Sequence, residues 1–105
     1  MTKSELESRY EILTGILNDF NDAYYEYKYA KAKDKKIKEA KLYSWINLAE
    51  RWITKDDDFY DIITEGSTGY EKNISLEGTF TIGYFSNDMF KILEKLKRYI
   101  NTMQE

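Results

Sequence analysis

Histidine, cysteine and proline do not occur anywhere in this 105-residue chain, and glycine occurs only five times. Without His or Cys the commonest general base, the thiolate nucleophile and the usual transition-metal ligands are missing, and no disulfide can form. A pair of carboxylates is still able to do acid–base work, but a small helical hairpin does not build a deep pocket around one. The expectation is therefore a non-catalytic protein with no cofactor and no metal. Without proline no rigid linker marks a boundary, and the length fits a single domain spanning 1–105. No apolar run approaches the roughly 18 residues a membrane span needs. Met1-Thr2-Lys3-Ser4-Glu5 leads into an amphipathic pattern rather than an apolar leader. These features predict a cytoplasmic protein with no membrane partner.

What the chain has instead is tyrosine and charge. Ten tyrosines bring the aromatic share to 16% and the hydrophobic share to 42%, enough for a folded core despite a mean hydropathy of −0.70. The net charge of −3 weighs against generic nucleic-acid binding, but the charge is unevenly placed. Residues 28–41 carry seven lysines against Asp34 and Glu39, whereas residues 1–27 and 42–88 are acidic. Heavy use of Lys, Ile, Asn and Tyr, all with A/T-rich codons, suggests an A/T-rich bacterium or one of its phages or mobile elements.

Hydrophobic spacing predicts the elements. Ser4-x-x-Glu7 reads as a capping box, and the set Leu6, Tyr10, Leu13, Leu17, Phe20, Tyr24 and Tyr27 then repeats in fours and threes. Ile12, Ile16, Ala23 and Ala30 widen this seam, so the first helix is expected to pack on more than one element. A second stripe runs through Leu42, Trp45, Ile46, Ala49, Trp52 and Ile53. Between the two stripes, residues 31–41 lose the pattern but contain neither Gly nor Pro. A turn near Asp34 that pairs the stripes in a long antiparallel helical hairpin is the expected solution, because it buries each stripe on the other. A single long helix that dimerises is the alternative. Asp56-Asp57-Asp58 followed by Phe59, Tyr60, Ile62 and Ile63, with Gly66 as the stop, predicts a short third helix. Tyr70, Ile74 and Leu76, then Phe80, Ile82 and Tyr84, alternate around Glu77-Gly78, which predicts a two-stranded β-hairpin. Ser86-Asn87-Asp88 is expected to cap a last helix whose inner face holds Met89, Ile92, Leu93, Leu96, Tyr99, Ile100 and Met103. The expected fold class is α+β, mostly α. A winged-helix reading is disfavoured because the first helix is too long and the third is acidic.

Four surface features bear on function. At 100° per residue, Tyr24 and Tyr27 of Tyr24-Tyr25-Glu26-Tyr27-Lys28-Tyr29 join the apolar stripe, while Tyr25 and Tyr29 fall on the opposite face with Glu7, Glu11, Asn18 and Asp22. Such a face suits docking on a basic groove of another protein; the alternative is that both rings pack beneath a later element. The lysines Lys28, Lys31, Lys33, Lys35, Lys36, Lys38 and Lys41 offer phosphate contacts, but the run has no Arg, Asn or Gln to read base edges, and a solvated helix connection kept soluble by its charge explains it more simply. Lys91, Lys95 and Arg98 form a smaller ridge of the same kind. The string Asp56, Asp57, Asp58, Asp61 and Glu65 lacks the EF-hand spacing, and helix capping accounts for it. Glu65-Gly66-Ser67-Thr68-Gly69 lacks the Gly-Lys-Ser/Thr ending of a phosphate-binding loop.

The leading expectation is a small inhibitor or modulator of a larger host or phage protein, an anti-defence protein being the type that fits. Its contacts would be Glu11, Asn18, Asp22, Tyr25 and Tyr29. The alternatives are nucleic-acid binding through Lys31, Lys33, Lys35, Lys36, Lys38 and Lys41, and a structural homodimer paired along the seam Leu6–Tyr27.

Overall fold

The structure, a computed structural model, describes residues 1–64 and 80–103. Helix α1 covers Lys3–Lys28, a 3-10 turn covers Ala32–Asp34, and α2 covers Lys35–Thr54. Helix α3 covers Asp57–Thr64, and α4 covers Phe85–Thr102.

Helix α1 begins two residues before the expected box. Thr2 Oγ1 accepts the Glu5 N–H at 3.1 Å and its hydroxyl donates to the Glu5 carboxylate, also at 3.1 Å. Thr2, not Ser4, is thus the N-cap, and the expected Ser4-x-x-Glu7 box does not form; Glu5 takes the Thr2 hydroxyl rather than the backbone N–H that a capping box would give it. The helix ends at Tyr29, whose N–H bonds the Tyr25 carbonyl, and Lys31 is extended. No glycine is needed for this exit, because none of these residues takes a left-handed conformation.

Of the two solutions for residues 31–41, the chain takes the hairpin. Near the tip, Lys38 Nζ lies 3.4 Å and Lys41 Nζ 3.8 Å from Glu26 Oε2. At the far end Arg9 Nη1 donates to the Trp52 carbonyl at 2.9 Å. The start of α1 thus meets the end of α2, and the pair is antiparallel. Two forces favour the turn. It buries both apolar stripes against each other, and it separates Lys28, Lys31 and Lys35. In a continuous helix those lysines would be neighbours at i, i+3 and i+7, costing roughly 0.2–0.5 kcal/mol per like-charged pair.

The core lies between α1, α2, α3 and α4. Leu6, Leu13, Ile16, Leu17, Phe20 and Ala23 of α1 are buried, as are Leu42, Ile46, Ala49 and Ile53 of α2. Helix α3 adds Phe59 and Ile63, and α4 adds Phe85, Met89, Ile92, Leu93, Leu96 and Ile100. The seam once weighed for pairing between chains packs instead against helices of its own chain. The widened flank explains how: α1 touches both α2 and α4.

The α+β class is corrected, because no strand occurs among the described residues. The first expected strand, 70–76, and the turn Glu77-Gly78 lie outside them, as does the stop at Gly66. The second strand is overturned directly. The Tyr84 and Phe85 amides both donate to the Thr81 carbonyl, at 3.2 and 2.9 Å, so Thr81–Phe85 closes into a turn that feeds α4. Alternation also fails, since Phe80 is buried and Tyr84 is exposed. Phe80 stands edge-on to Phe85 with centroids 5.3 Å apart, and Phe85 lies 4.5 Å from Phe20. Burying Phe85 on α1, with Phe80 packed on Phe85, takes the place of the ladder a strand would have made. The Ser86-Asn87-Asp88 cap is displaced likewise: α4 starts at Phe85 behind Tyr84, with no side-chain cap, and the Ser86 hydroxyl donates to Asn21 Oδ1 of α1.

Candidate functional site: the outer face of α1 and the hairpin tip

Buried residues end at Ala23 on α1 and resume at Leu42 on α2. Residues 24–41 contain none, so the last turns of α1 and the first turns of α2 form a tip that projects beyond the four-helix core. The elongated outline of 51 × 26 × 19 Å agrees.

The expected docking set falls on one uncovered stripe. Glu11, Asn18, Asp22, Tyr25 and Tyr29 are all exposed, and at 100° per residue they stay within about 60° of one another. From Glu11 to Tyr29 the stripe runs about 27 Å at 1.5 Å per residue. Tyr25 and Tyr29 are 68% and 67% exposed, so among the described residues neither ring lies beneath another element. They pack on each other instead, centroids 4.9 Å apart and tilted by 54°. Their partners in sequence, Tyr24 and Tyr27, are half-buried and continue the aromatic row from Phe20, as the spacing predicts.

Lys31, Lys33, Lys36 and Lys41 are exposed, whereas Lys35 and Lys38 are half-buried. Lys38 and Lys41 are drawn to Glu26. Lys35 Nζ sits 5.0 Å from the Tyr27 ring and Lys28 Nζ 5.9 Å from the Tyr29 ring. The tyrosine end of the α1 stripe therefore lies among lysines, while its acidic end lies about 27 Å away. Ile37, 72% exposed within this lysine-rich tip, was missed. Its signal was legible, because it falls out of phase with the stripe Leu42–Ile46–Ala49–Ile53.

The aspartates of Asp56–Asp58 are spent differently. Asp56 Oδ2 accepts from Arg9 Nη2 at 2.7 Å, and Asp57 and Asp58 occupy the first turn of α3, where negative charge favours the helix dipole. Among the described residues no three metal-ligating side chains are grouped to hold an ion. Glu65–Gly69 lies outside the described residues.

No family, curated protein or solved structure matches this chain. Function is therefore read from surface chemistry alone. Among the described residues no helix is long and apolar enough to cross a membrane.

One polar group is strained by burial rather than displayed. Glu50 Oε1 is buried without a hydrogen-bond partner, and desolvation raises the Glu50 pKa above its ordinary value of 4.5. A raised folded-state pKa means the favourable, protonated state is fully present below pH 4.5 and is lost as pH rises through the folded value. Glu50→Gln should accordingly raise stability at pH 7, by less than ~1 kcal/mol since the side chain keeps part of its surface in water. That gain should vanish on acidification below the unfolded value. Thermal melts of both proteins across pH check this; a gain that persists in acid would assign the effect to something other than ionisation.

Proposed function

We propose that this is a small, non-catalytic, cytoplasmic protein that binds a larger protein through the outer face of α1 and blocks it sterically. An inhibitor encoded by a phage or mobile element against a host defence system is the type that fits. The observation that carries the reading is the Tyr25–Tyr29 pair: two large apolar rings held against each other in solvent at the end of an uncovered stripe. Burying both rings in a monomer would have been favourable, by roughly 1.5–3 kcal/mol each. Their exposure is consistent with a surface whose burial waits for a partner, and their mutual packing lowers the entropy lost on docking. Glu11 and Asp22 along the same stripe favour a partner groove of basic character.

Capture from a nuclease-treated bacterial lysate tests the reading. One protein retained in stoichiometric amount is expected. Its association rate should fall several-fold at low salt for Glu11→Gln/Asp22→Asn, with little change in dissociation, as rim charges behave. Retention that depends on intact nucleic acid, or rates indifferent to both substitutions, would contradict it.

A further inference from the structure

The hairpin tip carries chemistry that the acidic stripe does not use. Seven lysines lie between residues 28 and 41, and Glu26 engages only Lys38 and Lys41. Among the described residues no carboxylate lies within ion-pair distance of Lys28, Lys31, Lys33, Lys35 or Lys36. A folded chain of net charge −3 thus concentrates unneutralised cations at one end, on a segment with no buried residue. In the sequence, the net negative charge and the lack of Arg, Asn or Gln to read base edges weigh against nucleic-acid binding. Stacking on bases needs no base-edge reader, and the Tyr25 and Tyr29 rings are about two-thirds exposed, with Lys28 Nζ 5.9 Å from the second ring.

We infer that the hairpin tip binds single-stranded nucleic acid, its lysines taking backbone phosphates and the Tyr25 and Tyr29 rings stacking on bases. Lysine charges with exposed aromatic rings are the combination that sequence-tolerant single-strand binders use. The absence of Arg and of side-chain amides from the lysine run fits such tolerance, since base-edge reading is not required. A duplex suits the tip poorly: its bases are already stacked, and two tyrosines one turn apart on a convex tip have no open face to meet. Lys38 and Lys41 offset the charge of Glu26, whereas exposed Asp22, one turn from Tyr25 on the same face, opposes the phosphates and places the strand toward the Tyr29 end of the tip. This inference shares the Tyr25 and Tyr29 rings with the protein-docking reading but differs in its charged contacts: it needs the tip lysines and no partner protein, whereas that reading needs Glu11, Asp22 and a protein partner.

Fluorescence anisotropy with the purified chain and labelled 20-mers of oligo(dT), oligo(U) and a 20-base-pair duplex tests it without any partner protein. If five lysines meet phosphates, single-strand affinity should fall by about 100-fold between 50 and 200 mM salt. Lys31→Gln/Lys33→Gln/Lys36→Gln should weaken binding at 50 mM salt and flatten that dependence to about tenfold or less. Tyr25→Ala/Tyr29→Ala should lose about tenfold or more while keeping the salt dependence. Circular dichroism melts should leave both variants folded, since neither removes a buried residue. Tighter binding of oligo(U) would assign the site to RNA, and of oligo(dT) to DNA. No binding at 50 mM salt, equal or tighter binding of the duplex, or a lysine variant that binds like the parent would overturn the inference.

Discussion

Replacing Arg9 with Ala is expected to lower the unfolding free energy by about 3 kcal/mol. Arg9 is buried in α1 between the ends of two other helices. Its Nη1 donates to the Trp52 carbonyl at 2.9 Å, a group in the last turn of α2 that has no partner within its own helix. Its Nη2 reaches Asp56 Oδ2 at 2.7 Å, just ahead of α3. The guanidinium carbon lies 5.1 Å from the Trp52 ring and 4.6 Å from the Phe59 ring, so the plane also fills space between α2 and α3. Alanine removes the helix cap, the ion pair and the packing together. Asp56→Asn should cost only ~1 kcal/mol or less, because the Asp56 side chain is 42% exposed and screened by water. Arg9→Met, which keeps the apolar stem, should fall between the two. Urea denaturation of the three variants ranks them. An Arg9→Ala variant within about 0.5 kcal/mol of the parent would show that the junction is held by its apolar contacts alone.

The helices were legible because long stripes with three–four spacing leave little choice: the stripes Leu6 to Tyr27, Leu42 to Ile53 and Met89 to Ile100 all turn to the core, their aliphatic residues and Phe20 buried and their Tyr and Trp side chains half-buried against it. The β-hairpin was misread where the pattern was short. Three alternating positions, Phe80, Ile82 and Tyr84, do not distinguish a strand from an aperiodic lead-in; here Phe80 packs on Phe85, and Phe85 on Phe20. Arg9 was hidden because a charged residue on a core stripe reads as a gap, and its partners lie more than forty residues away in sequence. Helical geometry placed Tyr25 and Tyr29 off the apolar stripe, since four tyrosines within six residues cannot share one face, but it left open whether a later element covers them; their exposure is a finding of the structure. The neutralisation of Glu26 by Lys38 and Lys41 was not legible, because it depends on the register of the hairpin.

The largest expected effect on binding belongs to Tyr25→Ala/Tyr29→Ala. Exposed aromatic anchors that bury on docking each contribute on the order of 2 kcal/mol or more. The double variant should therefore lose at least tenfold, and up to about a thousandfold, in affinity for a protein partner. Stability should hardly change, because both rings already stand in solvent and lose only their contact with each other. The separation of those two effects is the central claim: this pair of rings serves a surface, not the core. The decisive measurement compares the parent and the double variant in nuclease-treated capture, with a thermal melt of each preparation. The account predicts equal melting temperatures and a captured protein that the variant fails to retain. A variant that melts well below the parent, or that retains the same protein equally, would contradict it.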